Sequence, residues 1–208
     1  MYKLYWAPDT GALAPQILLE EVGAEYEVLE MRRQPDGFTE PEYLRLNPLG
    51  KIPALQLADG TLISESAAIA LQICDEHPAA GLLPAPGSAA RALAYQALLF
   101  CAAELYPADL RYFYPDRHSA EEGAGAGIKL RGLEDMERLF DHAESNLVEG
   151  PFVLGEVYSA ADAYLFMLVN WHPEEEAFLA DKPKLGKLWE SVRKRPAVDR
   201  IWKMNFPA

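Results

Sequence analysis

Cysteine is scarce in this chain of 208 residues: there are two, Cys74 and Cys101. They form no Cys-x-x-Cys pair and stand beside no histidine at zinc-site spacing, which argues against a structural metal and against a disulfide framework. Free thiols are the default in a reducing compartment. Long apolar runs are missing too. Even a run as long as any, Ala163–Val169, falls far short of the roughly 20 residues needed to span a bilayer. The first residues, Met1-Tyr-Lys-Leu-Tyr-Trp-Ala-Pro, have neither the apolar stretch nor the small-residue cleavage site of a secretory leader, so a cytoplasmic location is expected. Positive charge is outnumbered, with 19 Lys and Arg against 32 Asp and Glu and a net charge of −13. Such a surface repels phosphate backbones, so neither nucleic acid nor a membrane is expected as a partner. The four histidines, at 77, 118, 142 and 172, compose no catalytic constellation.

What is present is ordinary globular material. Half of the residues are apolar and a quarter charged, and the length suits two small domains. Tyr2–Trp6 is rich in β formers and reads as a strand, followed by the turn Pro8-Asp9-Thr10-Gly11. Apolar spacing from Ala14 to Val22 suits a helix stopped by Gly23. Tyr26–Leu29 reads as a second strand, and 32–38, with Pro35 and Gly37, as a loop. A short helix begins near Thr39 and ends before Asn47-Pro48. Ile52–Leu57 and Leu62–Ser64 flank the hairpin pair Asp59-Gly60, and Ser66–Glu76 has helical spacing. The order is β-α-β-α-β-β-α, a parallel crossover followed by an antiparallel hairpin.

Three prolines and two glycines between Pro78 and Ser88 mark a linker. The reading is therefore an α/β domain over 1–78, a linker over 79–88 and an all-helical domain over 89–208. In the latter, Ala89 to Tyr112 reads as one long helix, 121–127 as a Gly/Ala-rich break, and Leu130 to Val148 as a second long helix. Ser159-Ala-Ala-Asp162 looks like a capping box opening an apolar helix to Trp171. Pro183–Arg195 reads as a further amphipathic helix.

Three motifs carry a resemblance. Asn47-Pro48-Leu49-Gly50-Lys51-Ile52-Pro53 resembles the Asn-Pro-x-Gly-x-Val/Ile-Pro signature of glutathione transferases. Glu65-Ser66 resembles that family's Glu/Gln-Ser/Thr pair at the start of its third helix. Leu154 to Asp162 resembles the capped helix at the core of its second domain. The resemblance extends from Tyr2 to about Arg195 and implies a thioredoxin-like first domain. It also implies glutathione as co-substrate, no metal, and a two-fold homodimer.

Residue by residue, the resemblance implies a cis Pro53 that turns the backbone of Ile52 toward the cysteinyl peptide of glutathione. Ser66 and the amides at the helix start would hold the γ-glutamyl carboxylate, and Glu65 its ammonium. Ser66 as a plain N-cap is the competing reading. Lys51, with Arg33 or Arg32, would reach the glycyl carboxylate, or else stand as solvated surface charge.

The chemistry needs a thiolate near neutral pH. Moving a thiol from about 8.5 to about 6.5 takes roughly 2.7 kcal/mol, and one hydrogen bond to a charged group supplies roughly 1.5–3 kcal/mol. The family places that donor just after the first strand, and the chain looks most like the bacterial beta-type members, which use cysteine. Here the cysteine position reads Gly11, the serine position Ala7, and the tyrosine position falls near Trp6. Where beta-type members often carry His-Lys, this chain has Tyr106-Pro107. Thr10 is left as the thiol-facing candidate, beside the amides of Gly11 and Ala12. Thr10 also reads as a turn residue or N-cap, and Tyr5 is a second candidate that reads equally as core. The missing cysteine argues against a mixed-disulfide mechanism. The resemblance thus implies a transferase whose glutathione thiolate attacks an apolar electrophile held by Trp6, Pro8 and Tyr106. The alternative is a binding or regulatory module that keeps the fold without the chemistry.

Overall fold

The computed structural model describes residues 1–34 and 37–206. Of the expected loop over 32–38, Pro35 and Asp36 lie outside the described residues. The chain divides into two compact units. One comprises Met1–Leu83 together with the chain's end from Arg193 onward, and the other comprises Pro84–Val192.

The first unit is built on β1 (Tyr2–Trp6), α1 (Leu13–Glu21), β2 (Tyr26–Glu30), α2 (Pro41–Leu46), β3 (Ala54–Gln56), β4 (Leu62–Ser64) and α3 (Ser66–Glu76). The sheet order is β2-β1-β3-β4. β1 pairs in parallel with β2, Tyr2 opposite Tyr26, and antiparallel with β3, Leu4 opposite Leu55. β3 and β4 form the hairpin, with Ala54 opposite Ser64. This is the thioredoxin-like order expected from the sequence. Leu4, Ile17, Leu55, Ile69 and Ile73 are fully buried, so one face of the sheet and the inner stripes of α1 and α3 share a core.

The second unit is helical: α4 (Ala89–Phe100), α5 (Tyr106–Phe113), α6 (Gly125–Asn146), α7 (Ala160–Val169), α8 (Glu175–Asp181) and α9 (Pro183–Arg193). The single helix expected from Ala89 to Tyr112 is interrupted by a π-helical turn over Cys101–Leu105, in which Tyr106 N–H bonds to the Cys101 carbonyl. Pro107 is the cause. It lacks an N–H, its ring collides with the carbonyl four residues back, and a wider turn relieves both.

α7 is buried along its whole length. Its start is fixed by Asp162, whose carboxylate accepts the backbone N–H of Val153 at 2.6 Å, the backbone N–H of Ser159 at 2.7 Å and the Ser159 hydroxyl at 2.8 Å. Burial pushes Asp162 up to about 6, against the opposing pull of those hydrogen bonds. α5 and α6 approach closely at Gly132. A Cβ there would lie 2.7 Å from Tyr112 N, so the contact admits only glycine without movement of backbone. Among the described residues, no helix is long and apolar enough to cross a membrane.

The last helix, α10 (Pro196–Asn205), differs from expectation. The sequence assigns everything after residue 88 to the helical domain, but α10 packs on α1 in the first unit. Val198 and Ile201 are buried, while Arg195 and Arg200 pair with Glu21 and Glu20. Apolar burial and two ion pairs on one helix surface explain the placement.

Candidate functional site

The segment before β3 is held by hydrogen bonds that converge on one carbonyl. Tyr43, buried on α2, donates its hydroxyl to Lys51 O at 2.6 Å, and Asn47 Nδ2 donates to the same oxygen at 2.7 Å. Burial raises the Tyr43 phenol above its ordinary range, so it remains a donor. Asn47 Oδ1 accepts Leu49 N–H, and Gly50 bridges Asn47 O and Phe38 N–H. Gly50 has φ 57° and would place a Cβ 3.3 Å from the Phe38 carbonyl, so the turn needs glycine. Beneath it lie Ala7, Met31, Phe38 and Ala54.

The Ile52–Pro53 peptide is cis. Ile52 is nearly buried, yet its backbone N–H and C=O make no hydrogen bond among the described residues. A buried peptide with an unspent donor and acceptor is costly unless a ligand completes it.

Across the hairpin, Glu65 has φ 69° and ψ 107°, a conformation non-glycine residues rarely adopt. It precedes α3 and keeps its side chain exposed. Ser66 follows as the buried first residue of the helix, where backbone N–H groups lack intrahelical partners and favour an anion. Lys51 is exposed. Arg33 leans toward the β1–α1 loop, with Nη2 3.4 Å from Asp9 O and its guanidinium 6.0 Å from the Phe38 ring centre.

Several expected site residues make contacts within the fold. Thr10 is buried, and its hydroxyl donates to Ala7 O at 2.7 Å while accepting Ala12 N–H at 3.4 Å. In this arrangement its proton closes the turn, the alternative role that the sequence also offers for Thr10. Leu13 N–H is spent on Thr10 O. Gly11 N–H makes no hydrogen bond among the described residues, and neither does Thr10 N–H.

Trp6, expected to line a substrate pocket, is buried, and its indole N–H donates to Asn205 at 3.2 Å. It is a core residue under α10. Pro8 is half-buried in the loop. Tyr106 belongs to the second unit, where its ring centre lies 5.3 Å from that of Trp171. Tyr5 is half-buried and packs against the core, its ring centre 5.2 Å from that of Tyr43. Tyr43 gave no signal in the sequence, since a single tyrosine on a six-residue helix shows no periodicity.

Comparison with known proteins agrees with this architecture. The family model for the glutathione S-transferase N-terminal domain matches residues 12–76, and that for the C-terminal domain matches residues 111–200. The disulfide-bond oxidoreductase YfcG of Escherichia coli is 30% identical over 95% of this chain and 93% of its own. A glutathione transferase homologue from Sulfitobacter, solved with bound glutathione, superposes with a TM-score of 0.90. It is 29% identical and covers 98% of each chain. A sphingomonad glutathione S-transferase, solved with glutathione, has a TM-score of 0.85 and 30% identity, covering 99% of this chain and 100% of its own. The chain belongs to the glutathione transferase superfamily of enzymes.

Proposed function

We propose that the first unit binds glutathione and activates its thiol for attack on an apolar electrophile. The observation that carries this reading is the unspent N–H and C=O of Ile52, held rigid by Tyr43 and Asn47 through the Lys51 carbonyl. An extended peptide pairs with such a donor–acceptor couple as a strand would. The two ends of a γ-glutamyl tripeptide then have partners. The helix start at Ser66 takes the γ-glutamyl carboxylate, and Glu65 takes the neighbouring ammonium. Lys51 and Arg33 take the glycyl carboxylate. The bound glutathione of the Sulfitobacter and sphingomonad relatives supports the same reading.

The thiol faces the loop over residues 7–12. With the Thr10 proton committed, the donor is the Gly11 amide, assisted by the start of α1. The thiol gives its proton to solvent. The thiolate then forms a carbon–sulfur bond with the electrophile, and the displaced electron pair leaves with the leaving group or settles on the acceptor. This chemistry needs no metal. A homodimer in the cytoplasm completes the reading.

Calorimetric titration with glutathione tests it. We expect saturable binding, one molecule per chain, weakened at least about tenfold in Glu65→Ala because an ammonium loses its charged partner. No binding at millimolar glutathione would refute it. A second reading, a binding module without turnover, is favoured by the absence of a side-chain donor at the loop. Binding without any acceleration of thiol addition to generic electrophiles would establish that second reading.

A further inference from the structure

Asn205 stands in the last turn of α10 and is buried. Its Oδ1 accepts the indole N–H of Trp6 at 3.2 Å, and its Nδ2 donates to Gln16 Oε1 at 2.8 Å and to the Ile201 carbonyl at 3.2 Å. Gln16, fully buried in α1, uses its own Nε2 on Met204 Sδ at 3.2 Å. Donors and acceptors alternate consistently. An indole can only donate, so the oxygen of Asn205 must face it, and the amide nitrogen is left to face Gln16.

The topology gives this network its meaning. Trp6 is the last residue of β1 and Gln16 lies at the start of α1. The loop over 7–12, with Thr10 and the Gly11 amide, spans the gap between them. One side chain therefore grips both anchors of that loop. Docking of α10 does not require it, since Val198, Ile201 and the pairs Arg195–Glu21 and Arg200–Glu20 already hold the helix on α1. A buried, fully satisfied polar network adds a fixed geometry that apolar packing alone does not specify.

We infer that Asn205 is a positioning residue for the thiol-facing loop, acting through Trp6 and Gln16. This rests on the proposal that glutathione presents its thiol there. Two variants test it: Asn205→Leu, which removes the whole bridge, and Trp6→Phe, which removes one bond and keeps an aromatic ring. In the free protein, amide hydrogen exchange across residues 7–12 should accelerate about tenfold in both, while α3 stays at the wild-type rate. With glutathione, the ultraviolet titration of the bound thiolate should move to higher pH and kcat should fall. The glutathione KM should stay within about twofold, because Ile52, Glu65 and Ser66 lie on other elements.

Wild-type exchange across 7–12 in both variants would overturn the inference. So would acceleration spread evenly over the first unit, which marks general loosening. The exchange measurement needs no ligand. A wild-type protein that fails to bind glutathione would therefore sink the proposed function, while exchange still decides the role of Asn205.

Discussion

Thr10 shows how a single hydroxyl is decided by its surroundings. Sequence placed it in the turn after β1 but could not say where its one proton goes. That depends on the Ala7 carbonyl being 2.7 Å away. Thr10→Val keeps the shape and removes both of its hydrogen bonds. It should cost about 1–2 kcal/mol in thermal or urea unfolding and reduce turnover through displacement of the Gly11 amide. Wild-type stability in Thr10→Val would contradict the turn-forming role.

Asp109, on α5, poses the opposite problem. Among the described residues, both of its carboxylate oxygens are buried without a hydrogen-bond partner, and burial raises its pKa well above the ordinary value. The folded protein thus keeps the proton, whereas the unfolded chain releases it above about pH 4. The folded state binds more protons over that window, so its stability falls as pH rises. Asp109→Asn should therefore be more stable than wild type by roughly 1–3 kcal/mol at neutral pH. The difference in melting temperature should shrink toward zero as pH drops to about 4. A difference that does not change with pH would exclude a buried neutral acid.

At the scale of elements, legibility followed sequence distance. The Asn47–Pro53 motif and the capping box at Ser159–Asp162 are local, and both stood out because their partners lie within a few residues. The π turn was hidden although its cause, Pro107, was in plain view. A proline predicts trouble four residues back without saying whether the helix breaks or widens. α8 was missed because it is seven residues long and opens on acidic side chains with little periodicity. α10 was missed because Pro196, which marks the end of one helix, also serves as the first residue of the next.

Two predictions belong to elements. Asp162→Ala removes three hydrogen bonds and leaves the Val153 and Ser159 N–H groups buried and unpaired. It should destabilise by about 2–4 kcal/mol, read from denaturant midpoints. Gly132→Ala forces α5 and α6 apart at a backbone contact and should cost about 1–3 kcal/mol. An unchanged midpoint would mean that the helices separate freely.

For the whole molecule, the charge balance and the β-to-α change of pattern near residue 80 were readable from composition alone. The ownership of the chain's end was not, because nothing in α10 itself names α1 as its partner. The proposed homodimer is also a property of this scale. Light scattering at micromolar concentration should give twice the mass of 23.1 kDa, and a monomeric mass would remove the dimer from the proposal.

The bond between Trp6 and Asn205 joins residues 199 positions apart. A ribosome delivers Trp6 long before Asn205. The first unit, although begun first, therefore waits for the last helix, and the second unit has all of its residues available earlier. A newly made chain would hold a folded middle and an unfinished beginning until α10 has emerged.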